Sequence, residues 1–188
     1  MPRHAPDLNR ELHTTRLTLE PIHPSHARLL YDQHADERMW LYEPRSHRAA
    51  SIADLERRFT RFATRRSPDG TEVWLNYAVR IMGGAYVGTM QATIVGSSSL
   101  IGYSIFADHW RQGYGKEASA RLVRFLFEEC GVRRVRATVD TENAASIALL
   151  ERIGFHRTWT GPSDDMPGRR DHRYELQTPP ALDGASPL

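Results

Sequence analysis

The segment 109–118, HWRQGYGKEA, places two glycines and two basic residues directly before an apolar-periodic run. One residue separates Gly113 from Gly115, and Arg111 and Lys116 lie on either side of the pair. Because glycine has no Cβ, the backbone can approach a ligand closely at these positions. The N-terminus of a helix also offers unpaired N–H groups and partial positive charge. Together these features predict an anion site, most often one for phosphate.

Known phosphate-binding motifs can be compared with this spacing. A Walker loop needs four residues between its glycines and then Lys with Ser or Thr, whereas here one residue intervenes and Glu117 follows Lys116. The dinucleotide-binding pattern GxGxxA does fit residues 113–118, and Asp140 follows 22 residues later, where a ribose-binding acid would lie. In that fold, however, the strand ends almost at the first glycine, and here six residues intervene. The dinucleotide site stays as an alternative to a third chemistry, acyl transfer from coenzyme A.

The hydrophobic pattern predicts the elements that must position this loop. Alternating apolar residues indicate strands, and apolar residues three or four positions apart indicate helices. The predicted strands are 15–22, 73–80, 85–94, 99–106, 134–140, one from Phe155 onward and 172–177, and the predicted helices begin at Ser25, at Ser51, at the glycine loop and after Asn143. The resulting order, βααβββαβαββ, is that of an α+β domain with a mixed sheet.

Length and composition limit the class of protein. A chain of 188 residues predicts one domain, which we place at residues 1–178, and the tail 179–188 is expected to be disordered. No stretch approaches the roughly 18 apolar residues of a membrane span, and the N-terminal segment lacks the apolar core of a signal peptide. The single cysteine, Cys130, excludes an intrachain disulfide and indicates a reducing compartment. We therefore expect a cytoplasmic protein.

Charge and histidine spacing argue against two further kinds of function. The net charge is +2 and the arginines are evenly spread, which does not favour nucleic-acid binding. The nine histidines never fall into a metal-ligand spacing with cysteine or acidic residues. We therefore expect neither a nucleic-acid partner nor a metal.

Three segments resemble the GCN5-related N-acetyltransferases, the GNAT family, and the resemblance covers roughly residues 12–176. In chain order they are RLTLEPI, IGYSIFADHWRQGYGKEASARLV and VRATVDTENAASIALLERIGF. They are similar to the first strand, to the strand, pyrophosphate loop and helix of the main motif, and to a second motif with Asn-x-x-Ser before a helix ending in Gly-Phe. The first segment and Trp110 resemble the branch that contains the ribosomal-protein N-terminal acetyltransferases. Leu100 departs from that branch, in which Glu is common at this position.

The resemblance implies a GNAT-like α+β fold, with a mixed, mostly antiparallel sheet, splayed central parallel strands and about four helices. The splayed strands would be 99–106 and 134–140, whose unpaired backbone groups would bind the pantetheine amides. One N–H near Ser104–Phe106 would stabilise the negative charge that develops on the thioester carbonyl oxygen. The residues that the resemblance assigns to coenzyme binding are Ser104, Ile105, Phe106, Arg111, Gln112, Gly113, Tyr114, Gly115, Lys116, Asn143 and Ser146.

The resemblance marks the catalytic residues less clearly. Ser146 matches the serine that is proposed as proton donor to the leaving thiolate in some members, although helix capping alone would also explain Asn143 and Ser146. An attacking amine needs a general base or a water path for its proton. The candidate bases are Glu43 and Asp165, with Asp171 in the same predicted loop as Asp165. Three aromatic residues are candidates to line the acceptor site: Trp40, Tyr42 and Trp74.

The implied activity is transfer of the acetyl group of acetyl-CoA to a primary amine, by direct attack in a ternary complex. A protein or peptide N-terminal α-amine is the first candidate acceptor. The alternatives are a small-molecule amine, such as an antibiotic or polyamine, and a non-catalytic CoA-binding module. We expect acetyl-CoA as co-substrate and no membrane partner, and we leave a homodimer open.

Overall fold

The computed structural model describes residues 6–177, so the tail 179–188 lies outside the described residues. Within this range four α-helices pack on an eight-stranded sheet. The helices are α1 (His26–His34), α2 (Ile52–Phe62), α3 (Tyr114–Glu128) and α4 (Ala144–Arg152). The strands are β1 (Leu12–His13), β2 (Leu17–Pro21), β3 (Val73–Ile81), β4 (Tyr86–Val95), β5 (Ser98–Ile105), β6 (Arg134–Asp140), β7 (His156–Pro162) and β8 (Arg170–Gln177). No helix within 6–177 is long and apolar enough to cross a membrane.

The sheet has the strand order β1-β2-β3-β4-β5-β6-β8-β7, and its one parallel pair within the described residues is β5 with β6. These two strands pair only through Ser98–Leu100 and Arg134–Arg136, whereas β5 pairs with β4 along its whole length. Strands β5 and β6 therefore separate after Leu100. The predicted α+β fold with splayed central strands is confirmed.

Helices cover both faces of the sheet, because successive strand residues point to opposite faces. On one face α3 buries Leu122 and Phe125 completely, in a core that also contains Leu150 of α4. On the other face α1 and α2 bury Leu30 and Leu55 in a second core, which includes Phe106. Since Phe106 directly follows β5, the second core anchors the end of the strand that borders the gap.

Helix α4 begins and ends at the predicted signals. The Asn143 Oδ1 accepts a hydrogen bond from the Ser146 N–H at 3.1 Å. At the other end Gly154 adopts a φ of +97°, and the Phe155 N–H donates to the Leu150 carbonyl at 3.0 Å, which is the Schellman arrangement. These two ends place Ser146 in the first turn of α4, where its side chain contacts Tyr103 of β5.

The structure adds β1 and three short 3₁₀ turns to the predicted elements. Strand β1 has two residues, too few to show an alternating pattern, and it is held by the pairing of Leu12 with Leu19. The turns Glu37–Trp40 and Arg45–His47 lie between α1 and α2, and the turn Ala107–His109 follows β5. None of these turns is long enough for a hydrophobic period to mark it in the sequence.

Candidate active site

The loop between β5 and α3 curves through two residues with positive φ, Arg111 at 63° and Gly113 at 83°. Gly113 is the N-cap of α3 and offers no capping side chain. The first intrahelical bond runs from the Glu117 N–H to the Gly113 carbonyl at 3.1 Å. The N–H groups of residues 113–116 find no acceptor among the described residues. Successive free N–H groups at the positive end of a helix dipole form a cradle for an anion such as phosphate.

Glycine is required at the two positions of this loop for different physical reasons. Gly113 lies in the left-handed region, which favours glycine. Gly115 is buried, and a Cβ there would lie 2.9 Å from Leu149 Cδ1 and 3.2 Å from Ile105 Cγ1. The sequence pattern attributes Gly115 to close approach of a ligand, whereas the structure shows that it lets α3 pack against β5 and α4.

Arg16 ties this loop to the start of β2 and was not predicted as a site residue. Its guanidinium donates to the Gln112 carbonyl at 3.1 Å and to Glu117 Oε2 at 2.7 Å, and it lies 4.8 Å over the ring of Tyr114. Thr14 donates a further hydrogen bond to Glu117 at 2.6 Å. Burial opposes ionisation of Glu117, but the hydrogen bonds from Thr14 and Arg16 outweigh it and lower the pKa of this carboxyl. An ionised Glu117 therefore holds the loop in place.

The structure narrows the choice of the backbone N–H that could polarise a thioester carbonyl. The Phe106 N–H donates to the Val87 carbonyl at 2.9 Å and is therefore engaged. Because successive residues of an antiparallel ladder direct their backbone groups to opposite sides, Ile105 directs its N–H away from β4 and towards the gap. The Ile105 carbonyl accepts a hydrogen bond from the Trp110 indole at 2.6 Å. Within the predicted range, Ile105 is the residue whose N–H faces the gap.

The first turn of α4 lies across the gap from the loop and carries Ser146. The Ser146 Oγ is 2.6 Å from the hydroxyl oxygen of Tyr103, which also lies 3.3 Å from the Ser146 carbonyl. Tyr103 is partly buried, and this burial raises the pKa of its phenol to about 12. Tyr103 was not predicted as a site residue, although it lies in the IGY segment that carries the family resemblance.

A cavity of about 360 Å³ brings together two candidate bases that are distant in sequence. Glu43 comes from the segment between α1 and α2, and Asp165 comes from the loop between β7 and β8. The cavity is lined by Trp40, Leu41, Glu43, Pro44, Arg45, Ser46, Asp165, Met166, Pro167 and Arg169. The structure therefore builds a pocket from two segments that have no regular secondary-structure pattern.

The cavity contains two carboxylates, Glu43 and Asp165, while its two arginines form ion pairs elsewhere, Arg45 with Glu37 at 2.9 Å and Arg169 with Asp140 at 2.7 Å. Desolvation by neighbouring atoms raises the pKa of Glu43, and the charges of Asp165 and Asp171 raise it further, while the residue itself is exposed to solvent at the mouth of the cavity. Asp171 is 8% exposed, and its carboxylate forms no hydrogen bond or ion pair with any residue in 6–177. It lies in β8 and not in the preceding loop, which corrects the sequence interpretation. A carboxylate with a raised pKa among other carboxylates suits proton transfer from a cationic group.

Arg169 connects the cavity to the end of β6. Its guanidinium donates to Asp140 Oδ2 at 2.7 Å, lies 3.3 Å from Glu142 and stacks at 5.8 Å over Tyr42. The other oxygen of Asp140 accepts from the Glu142 N–H at 2.8 Å. Asp140 is buried and both its oxygens are engaged, so it does not serve as a ribose-binding acid. The sheet also lacks the doubly wound parallel order of dinucleotide-binding folds within 6–177.

Two of the three aromatic candidates lie at the cavity and one does not. Trp40 lines the cavity, and its indole donates to the His34 carbonyl at 2.9 Å. Tyr42 lies under Arg169, which lines the cavity. Trp74 instead packs edge-on against Phe62 at 6.3 Å and donates to Glu72 at 2.7 Å. Trp74 therefore has a packing role in this structure.

A family model described as an acetyltransferase (GNAT) domain matches residues 16–156. The chain belongs to the GNAT family. It is 40% identical over 57 residues to an uncharacterized N-acetyltransferase, YoaA, of Bacillus subtilis (strain 168), a match that covers 30% of this chain and 32% of YoaA. The chain thus spans about a third of the length of the curated relatives it matches.

Solved structures share the fold over most of the chain. RimJ of Mycobacterium smegmatis, in complex with CoA-disulfide, has a TM-score of 0.76 at 17% identity, covering 89% of this chain and 86% of that one. The ribosomal-protein-S5-alanine acetyltransferase of Vibrio fischeri also has a TM-score of 0.76, at 14% identity, covering 89% of this chain and 96% of that one. At these identities the likeness concerns the fold.

The ion pair at the start of α3 predicts a pH dependence of stability. Because the folded-state pKa of Glu117 is lowered, its contribution is fully present above the ordinary carboxyl pKa of about 4.3 and disappears as the pH falls through the lowered value. We expect Glu117→Gln to reduce the free energy of unfolding by about 1 kcal/mol at pH 7, with a difference that vanishes in acid. Urea unfolding between pH 3 and pH 7 measures this. The exposed Glu128→Gln is the control, and an equal effect at the two sites would contradict the prediction.

Substitution of Gly113 should weaken coenzyme binding more than it lowers stability, and substitution of Gly115 should lower stability more than it weakens binding. Gly113→Ala forces a side chain into the left-handed region, and its Cβ meets the Arg16 guanidinium at 3.3 Å. We therefore expect the Kd for CoA to rise at least about tenfold, which corresponds to about 1.4 kcal/mol of binding free energy. The unfolding free energy of this variant should fall by only about 1–2 kcal/mol. Gly115→Val overpacks Ile105 and Leu149 and should cost about 1–3 kcal/mol of stability. Calorimetric CoA titration and thermal unfolding separate the two. A Gly113→Ala protein with unchanged CoA affinity would show that the loop does not bind the coenzyme.

Proposed function

We propose that this chain is an acetyl-CoA-dependent N-acetyltransferase that acts on a primary amine by direct attack in a ternary complex. The observation that carries the proposal is the early separation of β5 from β6 beside the uncapped start of α3. The separation leaves backbone groups of β5 without a strand partner, and buried backbone groups require partners. A chain of amides such as pantetheine supplies such partners, and its pyrophosphate suits the free N–H groups at α3.

The coenzyme site combines the loop, the end of β5 and the start of α4. The pyrophosphate site in this proposal consists of Arg111, Gln112, Gly113, Tyr114, Gly115 and Lys116. Ser104, Ile105 and Phe106 form the strand edge, where the Ile105 N–H faces the thioester oxygen and Phe106 holds the end of the strand in place. Asn143 and Ser146 form the opposite wall from α4. Acetyl-CoA supplies the acyl group as a thioester when it is bound.

Three groups of the chain have separate roles in the proposed reaction: a base, a donor to the carbonyl oxygen and a donor to the leaving sulfur. An amine attacks only as the neutral species, so Glu43 accepts the proton from the acceptor nitrogen, and Asp165 sustains the raised pKa that makes Glu43 a suitable base. The Ile105 N–H donates to the carbonyl oxygen where negative charge develops, a role whose loss typically costs about 3–4 kcal/mol. Ser146 donates its hydroxyl proton towards the leaving sulfur.

The acceptor we propose first is the α-amine of a protein or peptide N-terminus. The cavity adjoins the splayed end of β6 through Arg169 and Asp140, and its unpaired carboxylates complement an ammonium group. The fold-level likeness to RimJ of M. smegmatis and to the ribosomal-protein-S5-alanine acetyltransferase of V. fischeri supports a protein acceptor. These neighbours also support the resemblance to the ribosomal branch.

A small-molecule amine is the second candidate acceptor, because one observation favours it. The cavity volume of about 360 Å³ lies within the range of pockets that enclose small ligands, about 300–1,000 Å³. Such a molecule would contact both the segment 40–46 and the segment 165–169, whereas a peptide would extend beyond them.

An amine screen tests the activity and separates the acceptors. We expect the protein to be stabilised against heat by acetyl-CoA and not by NAD(H), and to release free CoA thiol when an accepted amine is present. The screen contains peptides with free and blocked N-termini, polyamines and aminoglycosides, with a thiol reagent as readout. Stabilisation without thiol release from any amine would indicate a binding module, and no stabilisation by millimolar acetyl-CoA would end the proposal.

The base assignment predicts a shift of the pH profile. Glu43→Gln should reduce kcat by at least about a hundredfold, the lower end for loss of general base catalysis. Because the negative charge of Asp165 raises the pKa of Glu43, Asp165→Asn should move the acidic limb of kcat/KM to lower pH. The adjacent Asp164 pairs with Arg173 at 2.7 Å, so Asp164→Asn is the matched control and should leave the limb in place. An unmoved limb in Asp165→Asn would show that Glu43 does not titrate in this profile.

A further inference from the structure

The side chains of Tyr103 in β5 and Ser146 in α4 form a pair of hydroxyl groups in contact with each other. Their oxygens are 2.6 Å apart, and Tyr103 lies in the part of β5 that has left β6. Side chains alternate along a strand, so Tyr103 lies on the same face as Ile101 and Ile105. Ile105 in turn borders Gly115 at the start of α3. The pair therefore lies beside the space that the proposed function assigns to the coenzyme thiol.

The phenol hydrogen of Tyr103 has two acceptors within reach, the Ser146 Oγ at 2.6 Å and the Ser146 carbonyl at 3.3 Å, and the Oγ is the nearer. A phenol has one hydrogen, whereas a serine hydroxyl can donate and accept at the same time. Burial raises the pKa of Tyr103 to about 12, so the phenol keeps its hydrogen at neutral pH. The Ser146 hydroxyl contacts no other acceptor among residues 6–177. When Tyr103 donates to the Ser146 Oγ, the serine hydrogen stays free for a third group.

Serines in the first turn of a helix often use their hydroxyl in local backbone bonds. Here the Ser146 N–H is capped by Asn143 at 3.1 Å, and the Ser146 Oγ turns towards Tyr103 and not to a carbonyl of its own helix. Asn143 and Tyr103 thus hold the backbone and the side chain of Ser146 separately. Such double support is expected where the direction of one hydrogen matters, and a capping role alone does not require it.

We propose that Tyr103 is a positioning residue for the acyl transfer: it donates to the Ser146 Oγ and so directs the Ser146 hydrogen to the coenzyme sulfur. This inference rests on the proposed function. As the carbon–sulfur bond breaks, its electron pair stays on sulfur, and the Ser146 hydroxyl stabilises that charge by donation. The acceptor nitrogen gains the acyl carbon and loses its proton to Glu43. Tyr103 itself touches neither the acyl group nor the acceptor in this arrangement.

The thiol pKa of bound CoA tests the inference without an acceptor. A hydrogen bond to the thiolate lowers the pKa of the bound thiol, and the ultraviolet absorbance of the thiolate reports it in a pH titration of the CoA complex. We expect Tyr103→Phe and Ser146→Ala each to raise this pKa by about half a unit or more, as for loss of one hydrogen bond of about 1 kcal/mol. Ser146→Ala removes the same hydroxyl pair from the side of α4 and is the independent variant should the Tyr103→Phe protein fail to fold.

Tyr174 provides a matched control. It is 1% exposed, and its hydroxyl donates to Glu151 of the same helix α4 at 2.9 Å. Tyr174→Phe removes one strand-to-helix hydrogen bond of the same kind without touching Ser146. We expect the thiol pKa in the Tyr174→Phe complex to equal that of the wild type. An equal rise in Tyr174→Phe and Tyr103→Phe would assign the effect to general loosening of α4 and overturn the inference.

Turnover with an accepted amine gives the second readout. We expect Tyr103→Phe to lower kcat by about tenfold with KM for acetyl-CoA within about twofold of the wild type. The double variant Tyr103→Phe/Ser146→Ala should be no slower than Ser146→Ala, because both changes remove the same donor. The inference is overturned if the reductions in kcat of the two single variants multiply in the double variant, or if the thiol pKa of bound CoA is unchanged in Tyr103→Phe. Failure of wild-type protein to bind CoA at all would instead count against the proposed function.

Discussion

The separation of β5 from β6 after three paired residues is the constraint on which the site depends. A parallel pair that continued would satisfy its own backbone groups and leave no place for a ligand. Each strand is fully paired along its other edge, β5 with β4 and β6 with β8, so the backbone groups left without a strand partner are those along the gap. Helices on both faces then hold the separated ends, with Phe106 buried in the second core. The ligand site is therefore a consequence of sheet topology.

Specific contacts at the edge of the gap fix what the topology leaves open. The Phe106 N–H is bound by Val87, and the Ile105 carbonyl is bound by Trp110, so the Ile105 N–H is singled out. Arg16 fixes the following loop through Gln112 and Glu117. These interactions remove competing conformations before any ligand binds, which is how a preorganised site reduces the entropic cost of binding.

The site has opposite electrical character at its two ends. Free N–H groups, the dipole of α3 and the basic Arg111 and Lys116 suit an anionic coenzyme at one end. Glu43, Asp165 and Asp171 suit a cationic amine at the other, where burial and mutual repulsion raise the pKa of Glu43. In the proposed function, each substrate would be attracted to its own end, and the two would meet beside the gap between β5 and β6.

The four helices and seven of the eight strands within 6–177, together with the glycine loop before α3, could be predicted from the sequence because their signals are local: the hydrophobic period, the Gly113 turn and the Asn143 cap all lie within a few residues of the structure they specify. The contacts between distant segments could not be predicted in this way. Arg16 contacts Glu117, 101 residues away, Tyr103 contacts Ser146, 43 residues away, and Glu43 and Asp165 line the same cavity from two irregular segments. The role of Gly115 also changed, from ligand approach to helix packing. Such contacts depend on strand order and on how loops fold back over the sheet, and no periodic pattern in the chain encodes either.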